Sequence, residues 1–129
     1  MMAPAKLKIL IVDDAVDFVQ MMRARLRSSG YQVIAAYDGE EGFAKAGSER
    51  PDLILMDLML PGINGYEICR LLKEDERTLK IPVIMLTAMP LDRYQKATGR
   101  LRAEAFLQKP FEDRILLETI QTILLRRAA

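Results

Sequence analysis

The sequence predicts an α/β fold, a doubly wound five-stranded parallel sheet with helices on both faces. Two observations carry this. Short, almost wholly apolar runs alternate with longer segments of helical periodicity, and strands apolar along their whole length are those buried on both faces. Turn residues punctuate each junction, as β–α alternation requires.

The elements follow in order. Residues 7–12, LKILIV, form a strand stopped by Asp13-Asp14. Residues 15–29 carry Phe18, Val19, Met22 and Leu26 at helical spacing, and Ser28-Ser29-Gly30 ends that helix. A short strand over 31–35 precedes Asp38-Gly39-Glu40-Glu41, which opens a second helix with acids in its first turn. Pro51 precedes a strand over 53–56, then Pro61-Gly62 and Asn64-Gly65 turn the chain into a helix over 64–74. Residues 81–86, IPVIML, read as a fourth strand ending at Thr87, and a weaker helix follows Pro90. A short strand over 105–107 and Lys109-Pro110-Phe111 lead into a last helix with Leu116, Leu117, Ile120, Ile123 and Leu124 on one side. No repeat, linker or low-complexity tract interrupts the pattern, so 1–129 reads as one domain with an ordered core over 6–127.

Composition narrows the chemistry. Nineteen basic against 18 acidic residues leave no whole-chain electrostatic case for nucleic acid. No apolar run approaches the roughly 18 residues of a membrane span, and the N-terminus does not resemble a signal peptide. The single cysteine, Cys69, makes no internal disulfide and points to a reducing cytoplasm. It follows helical spacing and reads as a small core filler. There is no histidine, which excludes histidine triads, most catalytic zinc sites and a phosphohistidine carrier. Carboxylates, hydroxyls, lysine or a borrowed group must do any chemistry.

In a doubly wound sheet, ligands bind at the carboxyl ends of the strands. There the sequence places Asp13, Asp14, Asp57, Thr87 and Lys109. Singly, each has an ordinary explanation: the acids and Thr87 as caps, Lys109 as a solvated charge. Together at one rim they are costly unless a cation offsets the like charges. Clustered carboxylates without histidine or thiolate form a hard oxygen site, suited to Mg²⁺, Mn²⁺ or Ca²⁺ rather than zinc. Lysine as a point charge and threonine as a hydroxyl donor suit phosphoryl oxygens. No GxxxxGK[ST] loop is present to cradle a nucleotide. The pattern points to a phosphoryl group attached to the protein itself, with Asp57 as nucleophile.

Four segments, ILIVDD (9–14), LILMDLMLPGINGYE (53–67), IPVIMLTA (81–88) and FLQKPF (106–111), resemble the receiver domains of two-component response regulators, of the chemotaxis-regulator kind. The resemblance spans nearly the whole chain and implies strand order 2-1-3-4-5. It implies that Asp57 accepts a phosphoryl group from a phosphohistidine on a sensor histidine kinase or histidine phosphotransfer protein. Mg²⁺, with Mn²⁺ as the alternative ion, would be bound directly by Asp14, Asp57 and the backbone carbonyl of Met59, and by Asp13 largely through water. Lys109 would neutralise one phosphoryl oxygen, Thr87 would hydrogen-bond another, and Phe106 would turn inward as Thr87 moves. Lys109-Pro110 would be a cis peptide. Mg²⁺ and Lys109 together would favour the anionic, nucleophilic form of Asp57.

Some positions depart from the family pattern. Arg102 stands where glycine is usual and Ala105 where a small polar or acidic residue is common, so 100–105 is expected to run differently. Phe106 replaces the commoner tyrosine and removes its hydroxyl. Met59 and Met89 cannot orient an attacking water by hydrogen bonding: either they cover the phosphoryl group and give a long-lived phospho-aspartate, or they are two flexible thioethers that fill space. Ile115 and Leu125 project from the last helix, either as ordinary surface apolars or as a contact for a partner or a second copy after phosphorylation.

Two rival readings remain. An aspartyl-phosphate hydrolase acting on small phosphoesters would carry a second aspartate two residues after the nucleophile, where this chain has Met59. An inactive receiver-like binding module would not need the full set of Asp13, Asp14, Asp57, Thr87 and Lys109. The sequence leaves open whether the chain stands alone or is cut from a longer regulator.

Overall fold

The computed structural model describes residues 6–88, 90 and 102–128. Five strands, β1 (Lys8–Val12), β2 (Gln32–Ala36), β3 (Leu53–Asp57), β4 (Val83–Thr87) and β5 (Ala105–Gln108), form one sheet. All pairs are parallel, in the order β2-β1-β3-β4-β5. Among the described residues, four helices accompany them: α1 (Val16–Ser28), α2 (Gly39–Glu49), α3 (Gly65–Glu74) and α4 (Asp113–Ala128). The helix expected after Pro90 lies outside the described residues.

The apolar strands divide by parity. Ile9, Ile11, Leu53, Leu55, Ile84 and Leu86 face a core built with Val19, Met22 and Leu26 of α1 and Leu116 and Ile120 of α4. Leu10, Val12, Ile54, Met56, Val83 and Met85 face the opposite core with Ile68, Cys69 and Leu72 of α3 and Ala46 of α2. Because side chains alternate across a strand, each central strand must be apolar at every position to serve both layers. Burial holds the Cys69 thiol high, pushed up to about 11, so it behaves as an inert filler.

Local chemistry sets the ends. Asp38 caps α2 by accepting from the Glu41 amide at 2.8 Å, and Glu41 reaches back to the Tyr37 amide at 2.7 Å. Asn64 caps α3 through the Glu67 amide at 2.9 Å. At Gly65 an added Cβ would lie 2.2 Å from the Asp57 carbonyl oxygen, so only glycine lets α3 start against the end of β3. β4 begins at Val83, two residues later than the apolar run suggests, because Pro82 has no amide to donate to the ladder. In the segment entering β5, Glu104 N–H donates to the Val83 carbonyl at 2.9 Å and Ala105 pairs with Ile84, while residues 100 and 101 of the expected departure lie outside the described residues.

Candidate functional site

The register brings the rim residues together. Val12 pairs with Met56, Asp57 with Leu86, and Thr87 with Gln108. The residues that follow are pinned by further backbone bonds: Asp13 N–H to Ala36 at 3.1 Å, Leu58 N–H to Leu86 at 2.9 Å, and Lys109 N–H to Thr87 at 2.7 Å. Asp13, Asp57, Thr87 and Lys109 therefore sit on rigid strand ends rather than on a wandering loop, with Asp14 at the entry to α1.

Asp13 does not cap α1; the N-cap is Ala15, which has no side-chain cap. Asp13 is fully buried, and its Oδ1 accepts from the Ala15 amide at 2.9 Å. Its Oδ2 takes the Lys109 ammonium at 2.8 Å. Asp57 is nearly buried, accepts from the Met59 amide at 3.1 Å, and lies 3.8 Å from Lys109 Nζ. Asp14 is exposed. One carboxylate oxygen from each of Asp13, Asp14 and Asp57 falls within 4.8 Å of the others. Thr87 is fully buried, and half-buried Phe106 packs against the α2–α3 core. The Lys109–Pro110 peptide is cis. Met59 is exposed at the site's edge, and Met89 lies outside the described residues.

Burial pushes the Asp57 carboxyl above its ordinary value. The Met59 amide pulls it down, Asp13 pushes it up, Lys109 pulls it down and Asp14 pushes it up, in decreasing order. The expectation that Lys109 helps hold Asp57 as an anion therefore needs refinement. Lys109 pulls that way, but its nearer partner is Asp13, and burial prevails in the protein alone.

That imbalance is the test of whether a cation fits. Three hard oxygen donors lie within reach of one another while Lys109 is divided between Asp13 and Asp57, and a divalent ion would relieve both the mutual repulsion and the desolvation of Asp57. The donor set fits Mg²⁺.

Two contacts were not legible in the sequence. Lys109 Nζ stands 4.2 Å from the centroid of the Phe18 ring. At the other end of the sheet, buried Lys73 pairs with Glu104 at 2.7 Å. Lys73 did leave a trace: it continues the buried spacing Ile68, Cys69, Leu72 along α3. Phe18 left none, being one apolar residue in an apolar stripe.

A buried acid at the end of the third strand, two acids after the first and a lysine after the fifth define a receiver, and the chain belongs to the response regulator receiver domain family, which matches residues 9–121. It is a phosphoacceptor of two-component signalling, with Asp13, Asp14 and Asp57 forming its acidic pocket. Such a domain is a switch rather than a turnover enzyme, and the family is phosphorylated by histidine kinases.

Among relatives, the chain is 42% identical over 120 residues to the alkaline phosphatase synthesis transcriptional regulatory protein PhoP of Bacillus subtilis, covering 92% of this chain and 49% of PhoP. It thus spans about half that relative's length. The chemotaxis protein CheY4 of Vibrio cholerae superimposes with a TM-score of 0.85 at 33% identity, covering 92% of this chain and 99% of CheY4. The receiver domain of the sensor histidine kinase PA1611 from Pseudomonas aeruginosa, 33% identical with a TM-score of 0.83, covers 97% of this chain and 100% of its own; its structure holds a magnesium ion in the active-site cleft. Among the described residues, no helix is long and apolar enough to cross a membrane.

Proposed function

We propose that Asp57 receives its phosphoryl group from a phosphohistidine of a sensor histidine kinase or histidine phosphotransfer protein in the cytoplasm, in a Mg²⁺-dependent reaction. One observation carries this reading: Asp13, Asp14 and Asp57 bring carboxylate oxygens within 4.8 Å of one another at the strand ends, and Lys109 reaches both Asp13 and Asp57. Both oxygens of Asp13 are engaged, one by Ala15 N–H and one by Lys109, so Asp13 suits contact with the ion through water. Asp14 and Asp57, with the backbone carbonyl of Met59, would hold the ion directly. When bound, Mg²⁺ supplies positive charge to the phosphoryl oxygens.

The chain's own residues supply the rest. An Asp57 carboxylate oxygen forms the new bond to phosphorus as the phosphorus–nitrogen bond breaks, and the electron pair leaves with the partner's imidazole. This transition state needs alignment and charge neutralisation more than covalent help. Lys109, 2.8 Å from Asp13 and 3.8 Å from Asp57, needs only a small side-chain movement to face a phosphoryl oxygen. Thr87 hydrogen-bonds another oxygen, and Phe106 follows Thr87 inward. The added charge then biases a two-state surface. The exposed Ile115 and Leu125 on α4 form a contact for a partner or a second copy in that state.

Incubation with acetyl phosphate and Mg²⁺, followed by intact mass, tests the proposal. One phosphoryl group per chain, absent in Asp57→Asn and with Mg²⁺ chelated, is expected. No gain, or a gain that persists in Asp57→Asn, counts against it.

A further inference from the structure

Lys109 ends a flexible side chain, and a lysine head is held in place only as well as its neighbours hold it. Two of those neighbours are the acids of the site. The third is an aromatic ring that the acidic constellation does not include. Phe18, in the first turn of α1, presents its ring 4.2 Å from Lys109 Nζ, within the range where a cation is attracted to the ring face. The ring is itself braced: Phe111 meets it edge-on, with centroids 6.3 Å apart and planes at 80°.

The chain delivers this arrangement economically. Phe18 lies four residues after Asp14, so the start of α1 sets both an acid and the ring. Phe111 lies two residues after Lys109, so the loop that carries the lysine also carries the brace. Phe18, Phe111 and Lys109 share the wall of a groove of 380 Å³ that opens beside the site. The Lys109 side chain keeps 22% exposure, so solvent is an available alternative for its head.

We propose that Phe18 is a positioning residue for phosphoryl transfer, its ring seating the Lys109 ammonium between Asp13 and Asp57. Without the ring, Lys109 samples the open groove, and the charge meant for the phosphoryl oxygen is in place less of the time. This rests on the reading of Lys109 as the group that neutralises that oxygen. It is separable from that reading because the seat itself can be observed.

Phe18→Leu keeps an apolar filler and removes the π face, whereas Phe18→Tyr keeps the face. With acetyl phosphate and Mg²⁺, the Leu variant is expected to phosphorylate Asp57 about three- to tenfold more slowly, and the Tyr variant to stay within about twofold of wild type. In parallel, proton NMR of the Lys109 Cε methylene should show an upfield ring-current shift in wild type and Phe18→Tyr, lost in Phe18→Leu. A Leu variant that phosphorylates at the wild-type rate overturns the inference. So does a wild-type Lys109 methylene at the ordinary lysine position, a readout that stands even if the Leu variant fails to fold. If wild type gains no phosphoryl group while its Lys109 shift is upfield, the reading of Asp57 falls and the seat remains.

Discussion

Two lysines stand at opposite ends of β4 in space, Lys73 beside its start and Lys109, which follows β5 in the chain, beside Thr87 at its finish, and their surroundings differ in one decisive respect. Before the strand, Lys73 is buried and donates to the Ile81 carbonyl at 2.8 Å and to Glu104 at 2.7 Å. Glu104 also accepts from the Val83 amide at 3.0 Å, and Arg102 closes the cluster by donating to the Lys73 carbonyl at 2.9 Å. There one lysine meets one carboxylate. After the strand, Lys109 meets Asp13 at nearly the same distance, 2.8 Å, but shares the site with Asp57 and Asp14 as well. A short lysine–carboxylate pair is thus no mark of function. The mark is the surplus: more carboxylate charge gathered at one rim than Lys109 neutralises, a cost that an outside cation or a reaction offsets.

The largest effect expected from this contrast is at the open end. Lys109→Met should slow phosphorylation of Asp57 by acetyl phosphate by about 100-fold, the scale of losing one preorganised charge at a developing anion. A loss within a few-fold would mean that Lys109 serves only to satisfy Asp13. At the closed end the effect should appear in stability instead. Lys73→Met leaves Glu104 without its cation and should cost about 2–3 kcal/mol in denaturant unfolding, below the fully buried case because Glu104 keeps about a third of its exposure. The folded fraction should still accept one phosphoryl group. Failure to do so would erase the distinction between the two ends.

A smaller effect ties charge surplus to pH. Burial raises the Asp57 pKa in the folded protein above the unfolded value near 3.8. Between those two values the folded state binds more protons than the unfolded one, so stability falls as pH rises through that window. Asp57→Asn removes the penalty. In EDTA the variant should melt above wild type at neutral pH, and the gap should close as pH drops below the unfolded value. A wild type that melts higher at neutral pH would reverse the sign. The smallest expected response belongs to the closed side: native Cys69, with its thiol pushed up to about 11 by burial, should resist alkylation at mildly alkaline pH until the chain is unfolded.

The fold was legible because each central strand serves two cores and must be apolar throughout, a pattern few other arrangements produce. Boundaries were less legible where one residue's chemistry intervened, as at Pro82, whose missing amide delays β4 to Val83. The site was legible because Asp13, Asp57, Thr87 and Lys109 each follow or end a strand, and parallel register brings such residues to one edge without knowledge of any side chain. What the sequence could not reveal was which acid Lys109 approaches, because Asp13 and Asp57 are both at the same edge. Nor could it reveal the Phe18 ring, whose contact depends on how α1 lies against the loop after β5. Arg102, an oddity in the sequence, donates to the Lys73 carbonyl, 29 residues earlier, a contact no local pattern announces.

Calorimetric titration with Mg²⁺ reaches the surplus charge most directly. The account predicts that wild type takes up one ion per chain, that Asp14→Asn loses most of this affinity, and that Lys73→Met retains it. Wild-type protein that takes up no Mg²⁺, or binds it equally well without Asp14, would contradict the assignment of this rim as a cation-dependent phosphoacceptor.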